Sequence, residues 1–348
     1  MDISYKIIEK EQALLSVKDE WNILYQAGDY DFFQSFSWVY TWWKHYKHNS
    51  ELFCVLFYDK EQLIFIAPMV ICNDNDKKML RFTGGNLSDY NYLLFKNGCK
   101  PEMVLKYFYT LLKRFLGVRF DEVQFKHINL LKQNMFNLNI DSFGLKLQTL
   151  ENEPAVTVKL PESLNEYYDK IGSKRTKTFS RYERVAFERE GFCFDFIKKN
   201  EDLPKYFSWF KEHKKRLWGQ YNMHDKLPPE LHQECFFDFL NDIAQDNIES
   251  NSLLIPTISN QDTIIASGLY FQHQKTIFAY MHCWDYTYKN LSIGTVVDWM
   301  MIKHSILNGF KFFDIGRGDE HYKFRFGGES VLLDNFAINS LSMAMCPL

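Results

Sequence analysis

The sequence contains no C-x-x-C pair. Its seven cysteines (Cys54, Cys72, Cys99, Cys193, Cys235, Cys283 and Cys346) are scattered and odd in number. No Cys/His cluster has zinc-site spacing, so no metal site is proposed, and free thiols in a reducing cytosol are the reading. Long apolar runs are missing as well. The longest, Leu63–Cys72 around Ile64–Ile71 (IFIAPMVI), has 10 residues, against the roughly 20 that a membrane-spanning helix needs. The first ten residues, MDISYKIIEK, hold no apolar block before a small-residue cleavage site, which excludes a signal peptide. Together these absences lead us to expect a cytoplasmic protein without a transmembrane segment. An excess of one charge is lacking too. The net charge is −3, so nothing global calls for DNA or another polyanion, and only a local basic patch can do so. Walker A, G-x-S-x-G, H-E-x-x-H and Rossmann glycine patterns are all absent.

Aromatic residues, by contrast, are plentiful. The 32 Phe, 20 Tyr and 8 Trp make up 17% of the 348 residues, ample for a large core or a lined cleft. With 46% hydrophobic and 24% charged residues the usage is that of a globular protein. The length suggests two domains or one large one.

Periodicity gives the C-terminal half the order β-α-α-β-β-β-α-β-turn-β. Its elements are a strand at 191–197, helices at 202–218 and 229–244, and strands at 252–258, 262–271 and 276–283. A helix at 295–307 and strands at 310–315 and 331–339 complete it. The N-terminal half repeats this order, with one helix over 11–26, one strand over 63–71 and a short helix over 130–138. The fold class expected is α/β, two tandem repeats of mixed, mostly antiparallel sheets flanked by helices. Domains are expected at 1–160 and 191–348, joined by a basic connecting helix at 161–190. Between Lys170 and Arg189 that helix carries seven basic and two acidic residues.

The stretch from Tyr280 to Gly328 holds most of the chemistry. Ser292-Ile293-Gly294-Thr295 opens a helix, where orphan N–H groups and the helix dipole suit a pyrophosphate. Gly294 lets backbone approach a ligand. An ordinary Ser N-cap explains the same residues. Downstream runs Phe313-Asp314-Ile315-Gly316-Arg317-Gly318-Asp319-Glu320-His321-Tyr322-Lys323, dense in small, acidic, basic and aromatic residues.

These residues resemble the GNAT acyl-CoA transferases. Lys289 to Gly294 stand where that family has Q/R-x-x-G-x-G/A, with Lys for Gln/Arg and Ser for the first Gly. The turn Asp285…Tyr288, S-x-G-T and the F-D-x-x-x-G-D-E-x-Y-K stretch are similar to the CelD/BcsL-like group associated with polysaccharide biosynthesis. That group is related to FemAB-type double-GNAT proteins. Phe33-Gln34-Ser35 with Trp38, Trp42 and Trp43, Arg81-Phe82…Ser88-Asp89-Tyr90 and the basic helix from Ser173 resemble it more weakly. The resemblance implies acetyl-CoA or another acyl-CoA as co-substrate, held by Lys289, Ser292, Ile293, Gly294 and Thr295. It implies an acyl thioester between the fourth and fifth strands of the C-terminal repeat. The acceptor is then a small or saccharide-type molecule.

Acyl transfer needs a proton removed from the acceptor, a stabilised oxyanion and a protonated thiolate leaving group. Tyr322 lies shortly after the fifth strand, where the resemblance implies a Tyr that protonates the thiolate; it is the candidate acid, or simply one packed tyrosine among many. Asp319 and Glu320 are candidate proton acceptors, although an Arg317–Asp319 pair is equally open. His282 on the fourth strand can act as the base or be a satisfied strand histidine. Asp285 either touches substrate or shapes its turn. Asp314, Arg317 and Lys323 complete the substrate side. In the basic helix Lys174 and Arg175 stand at the start, placed to hold CoA phosphates or a charged acceptor unless the face is merely solvated. Trp38, Trp42 and Trp43 suit a core, or a sugar-stacking platform. Lys96 to Pro101, the matching place in the N-terminal repeat, lacks S-x-G-T, so that repeat reads as a scaffold or acceptor-binding copy. Two further readings stay open: a FemAB-like aminoacyl-tRNA-dependent peptidyltransferase, with tRNA on the basic helix, and a non-catalytic GNAT scaffold.

Overall fold

The computed structural model describes residues 2–340 except 75, 134–139 and 224–226. β1 (Ile3–Ile8) leads into two helices, where the spacing predicts one over 11–26. These are α1 (Glu11–Ser16) and α2 (Lys18–Ala27), parted at Val17, whose φ of −104° and ψ of 8° leave the helical region. α3 (Phe36–Tyr46) begins on Ser35, whose hydroxyl accepts from the Trp38 N–H at 3.2 Å. Then come β2 (Ser50–Leu52), β3 (Cys54–Asp59), β4 (Gln62–Ala67) and β5 (Met69–Asp74). The single strand expected over 63–71 breaks at Pro68. Proline cannot donate to a ladder, and the chain changes sheets there. β6 (Lys77–Phe82), β7 (Leu94–Phe95), α4 (Pro101–Phe115), β8 (Glu122–Ile128) and β9 (Leu145–Thr149) follow. Of the helix expected over 130–138, residues 130–132 form a turn and 134–139 lie outside the described residues.

The second half runs through β10 (Glu153–Lys159), α5 (Leu164–Ile171), α6 (Ser173–Arg184) and β11 (Cys193–Ile197). α7 (Leu203–Gln220), α8 (Pro229–His232) and α9 (Phe236–Asn247) come next, so the helix expected over 229–244 is two. β12 (Leu253–Asn260), β13 (Thr263–His273) and β14 (Thr276–Trp284) form successive hairpins, with Gln261 and Gln274 at positive φ in the turns. α10 (Ile293–Leu307), β15 (Phe312–Arg317), α11 (His321–Arg325) and β16 (Glu329–Ser340) end the described chain. No helix among the described residues is long and apolar enough to cross a membrane.

The chain divides into two compact units, Met1–Glu153 with Leu332–Leu348, and Pro154–Val331. The boundaries therefore differ from those read in the sequence. Residues 332–340 belong with the first unit, and the basic helix lies inside the second. In the first unit one sheet has the order β1-β3-β4-β7, all antiparallel. A second joins β16, β8, β6, β5 and β2, with β8 parallel to β6. Trp38 and Trp42 are 0% and 1% exposed, and Trp43 is also buried, so these rings are core and offer no face to a sugar.

In the second unit the sheet order is β11-β12-β13-β14-β15-β10, and only the β14–β15 pair is parallel. Successive side chains of β14 show which helices cover which face. Cys283 donates to the Phe210 carbonyl on α7, while His282 reaches Asp298 on α10. α7 and α10 thus lie on opposite faces. α6 packs beside α10 through Phe179, which stacks on Trp299 and on Phe326 with centroids 5.0 and 4.8 Å apart. Both units are mixed α/β with sheets flanked by helices, in a repeated element order.

Candidate functional site

β14 and β15 pair only from Thr276↔Phe312 to Phe278↔Asp314. Both strands continue, to Trp284 and Arg317, with no further pairing between them among the described residues. On the β13 side Leu269 faces Met281 and Tyr270 faces Ala279, so Tyr280 has no opposite and bulges. The result is an opening edged by backbone groups that the sheet does not use. An extended ligand carrying amides fits such an edge as an added strand does.

The far side of the opening is set by the turn after β15. Asp314 accepts from the Gly316 N–H at 2.8 Å and the Thr157 hydroxyl at 2.9 Å. Gly316 and Gly318 take φ of 72° and 96°, conformations that favour glycine. Lys323 is 2% exposed. Its ammonium donates to the carbonyls of Gly316, Arg317 and Gly318 and pairs with Glu320 at 2.8 Å. Its donors are spent inside its own loop, so Lys323 shapes the site rather than contacting substrate. The same ion pair occupies Glu320. Asp319 is exposed, Arg317 is half-buried, and Tyr322 on α11 is 39% exposed. Tyr322 lies near enough to Tyr270 to influence its ionisation.

The near side is the turn into α10. Asp285 accepts from the backbone N–H and hydroxyl of Thr287 at 2.9 and 2.8 Å, the turn-shaping role. The Lys289 ammonium sits 4.6 Å from the Tyr286 ring centroid. Ser292 precedes the helix at φ 53°, and its side chain does not cap it. The helix begins at Ile293, two residues before the sequence suggests. Instead the Ser292 hydroxyl meets Tyr182 of α6. Burial works against ionisation of Tyr182, yet its bonds to Ser292 and Arg325 bring its phenol below the ordinary range. Thr295 N–H returns to the Ser292 carbonyl at 2.9 Å. Among the described residues no group accepts from the N–H of Ile293 or Gly294. Those two donors fit an anion. Gly294 has a second reason to be glycine, because a Cβ there lies 2.9 Å from the Trp284 ring.

Between the two sides, and beneath them, three polar groups meet on the α10 face. Asp298 Oδ1 lies 2.8 Å from His282 Nε2 and accepts from the Tyr270 hydroxyl at 2.8 Å. Nε2 and that hydroxyl are 2.9 Å apart. Tyr270 is fully buried and Asp298 3% exposed. Burial, with Asp298 beside it, holds the Tyr270 phenol far above its usual range, so it stays protonated. The residues lie on three elements, brought together by the Gly268↔His282 register. Sequence reasoning found His282 alone. The available signal for Asp298 is a lone acid in an otherwise apolar run.

Opposite, on the α7 face, the Lys214 ammonium donates to the His282 carbonyl at 2.7 Å and lies 5.9 Å from the Trp218 ring centroid. Burial draws its pKa down to about 8. Below pH 8 the folded and unfolded chains both carry the charge, and the folded state bears its full desolvation cost. From about pH 8 to 10.5 the folded amine is neutral while the unfolded one is charged, so the cost shrinks as pH rises. Lys214→Met removes this dependence. Urea unfolding at pH 7.5 and 9.5 is expected to show a stability gap between variant and parent that narrows at the higher pH; a constant gap contradicts a buried ammonium. His213, one residue earlier, places Nε2 3.8 Å from Asp285 Oδ2, and burial lowers its pKa despite that carboxylate.

Lys174 and Arg175 stand exposed in the first turn of α6, and Lys177, Arg181 and Arg184 are exposed along it. The other face is fixed. Glu183 accepts from Trp299 Nε1–H at 2.7 Å and pairs with Lys303 at 2.6 Å, both on α10. The helix is a docked element with a basic outer surface.

Residues 173–324 match the family model described as Acetyltransferase (GNAT) domain. Among solved structures, the crystal structure of FemX covers 96% of both chains with a TM-score of 0.64 at 9% identity. L-PGS from Bacillus licheniformis aligns with a TM-score of 0.54 at 12% identity, over 97% of this chain and 94% of that one. The C-terminal domain (DUF2156) of a putative lysylphosphatidylglycerol synthetase from Agrobacterium fabrum gives 0.57 at 10%, over 94% and 93%. At such identities the likeness is one of fold. No curated protein matches this sequence.

Proposed function

We propose that the second unit, which carries the GNAT match, moves an acyl group, most simply acetyl, from acyl-CoA to an amine or hydroxyl. The acceptor in this reading is small or saccharide-type, in line with the motif resemblance of residues 285–323 to the polysaccharide-associated group. The observation that carries the proposal is the parting of β14 from β15 after Phe278 and Asp314, with the α10 N-terminus at its mouth. The pantetheine arm of CoA is extended and bears amides, which suits the unpaired edge. Its pyrophosphate suits the N–H groups of Ile293 and Gly294, with Ser292, Thr295 and Lys289 around them. In this reading Tyr322, 39% exposed and beyond the end of β15, protonates the departing thiolate.

The basic outer face of α6 and the FemX-like fold favour one second reading, an aminoacyl-tRNA donor. Release of CoA thiol from acetyl-CoA, with amino sugars and small amines as acceptors, separates the two. Turnover is expected with acetyl-CoA; turnover only with charged tRNA would move the chain to the second reading, and turnover with neither to a binding scaffold. Lys174→Ala with Arg175→Ala sharpens the comparison. If these residues hold an acceptor's phosphate, acceptor KM rises about tenfold or more while acetyl-CoA affinity is kept. If they hold tRNA, the salt dependence of RNA binding flattens by about one log unit for each phosphate no longer neutralised.

A further inference from the structure

We propose that His282 is the proton acceptor of this site, acting through Nδ1, and that Asp298 is its positioning residue. The inference rests on the acyl-transfer reading above. An ionised carboxylate only accepts hydrogen bonds, so Asp298 Oδ1 is the common acceptor of its two neighbours. Tyr270 donates its hydroxyl to it at 2.8 Å, and His282 must donate Nε2–H to it at 2.8 Å. That bond decides the tautomer. Nε2 carries the hydrogen, and the lone pair of the neutral ring lies on Nδ1.

Among the described residues Nδ1 has no hydrogen-bond partner, and the side chain keeps 15% of its surface exposed. The ring is also held from across the hairpin. A Cβ on Gly268 would stand 3.0 Å from His282 Cδ2 and 2.8 Å from the Tyr270 ring, so glycine there is what allows the two rings to meet. His282 follows the bulged Tyr280 on the unpaired edge of β14, beside the opening proposed for the thioester.

The ionisable groups around the ring come from every neighbouring element. Tyr270 is on β13 and Asp298 on α10. Tyr322 of α11 acts on Tyr270, and Tyr167 of α5 feels the Asp298 charge. Lys214 of α7 reaches only the His282 carbonyl, from the other face. An imidazolium formed at Nδ1 is therefore met by a carboxylate already bonded to the ring, the arrangement by which an acid orients and supports a histidine base.

In the step itself the acceptor's nitrogen or oxygen bonds to the acyl carbon and its proton passes to Nδ1. The carbon–sulfur bond then breaks, the sulfur keeps the electron pair, and the thiolate takes a proton from Tyr322. Both residues return to their starting states by exchange with water.

Two measurements on the full chain test this. Spectra of the wild-type protein with 15N-labelled histidine, His282 being assigned by its loss in His282→Gln, are expected to show the Nε2–H tautomer. Asp298→Asn is expected to shift it toward a mixture of the two tautomers. A ring protonated on Nδ1 in the neutral wild type overturns the proposal without need of any variant.

The second measurement follows thiol release from acetyl-CoA with water as acceptor, beside calorimetric binding of acetyl-CoA. His282→Gln is expected to lose about 10²-fold or more in rate, with the acidic limb of the pH profile gone and acetyl-CoA affinity kept. Added imidazole is expected to restore part of the rate to His282→Ala, which a merely structural histidine would not allow. A His282→Gln variant that keeps the wild-type rate and pH profile contradicts the proposal while leaving the acyl-transfer reading intact. A wild-type chain that binds no acetyl-CoA fails that reading first, and this one with it.

Discussion

Tyr322→Phe is expected to slow acyl transfer by about 10²-fold while acetyl-CoA binds as before. The substitution deletes one hydroxyl and keeps the ring. At 39% exposed on a five-residue helix, Tyr322 contributes little to the core, so stability is expected to move by less than about 0.5 kcal/mol. A change in rate without a change in affinity is the mark of a group that acts only in the transition state. Stopped-flow single turnovers measure it without interference from product release. An equal rate in the variant would leave Tyr322 a surface residue and require another acid for the thiolate.

Gly294→Val is expected to weaken acetyl-CoA binding by about 100-fold or more. The first methylene already lies 2.9 to 3.3 Å from three atoms of the Trp284 ring, and valine adds two more carbons. The ring must turn aside or α10 must shift its first turn, and each disturbs the free N–H groups of Ile293 and Gly294. Crowding of this size costs about 1–3 kcal/mol, which a large core survives. Circular dichroism is expected to show a folded variant. Gly294→Ala, whose one added carbon meets the edge of a movable ring, is expected to fall between. Undiminished binding in the valine variant would remove the pyrophosphate from this turn.

How far the sequence could be read depended on whether the deciding contact was local. The hairpins β12–β13–β14 were legible within one or two residues, because alternation and their short polar turns are local features. The break at Pro68 was also local and was missed, since an apolar run of the right length outweighed one proline. The return of β16 to the first unit depends on pairing with β8 some 200 positions earlier, for example Phe336↔Phe125, which nothing nearby announces.

The site followed the same rule. Residues 285–323 were found as a motif, and several then proved to hold the loop rather than face a ligand. Lys323 is the plainest case: from spacing it reads as a substrate contact, yet its ammonium is enclosed by three carbonyls of its own turn. Asp298 carries only a weak signal, a lone acid in an apolar run, for the opposite reason. α10 is apolar nearly all round, so periodicity does not tell which face an acid within it occupies. Only the meeting of β13, β14 and α10 shows that the carboxylate is bonded to Tyr270 and His282. Ser292, expected as a side-chain cap, takes a left-handed backbone and bonds to Tyr182 instead, a contact with a helix that begins about 120 residues earlier.

The central claim is that one acyl-CoA lies in the opening between β14 and β15 of the second unit. Calorimetric titration of the whole chain with acetyl-CoA, beside CoA alone and a charged tRNA, tests it most directly. The account predicts saturable binding of one acetyl-CoA per chain, competed by CoA and unaffected by the tRNA. Saturable binding of the charged tRNA with no heat from acetyl-CoA would contradict it.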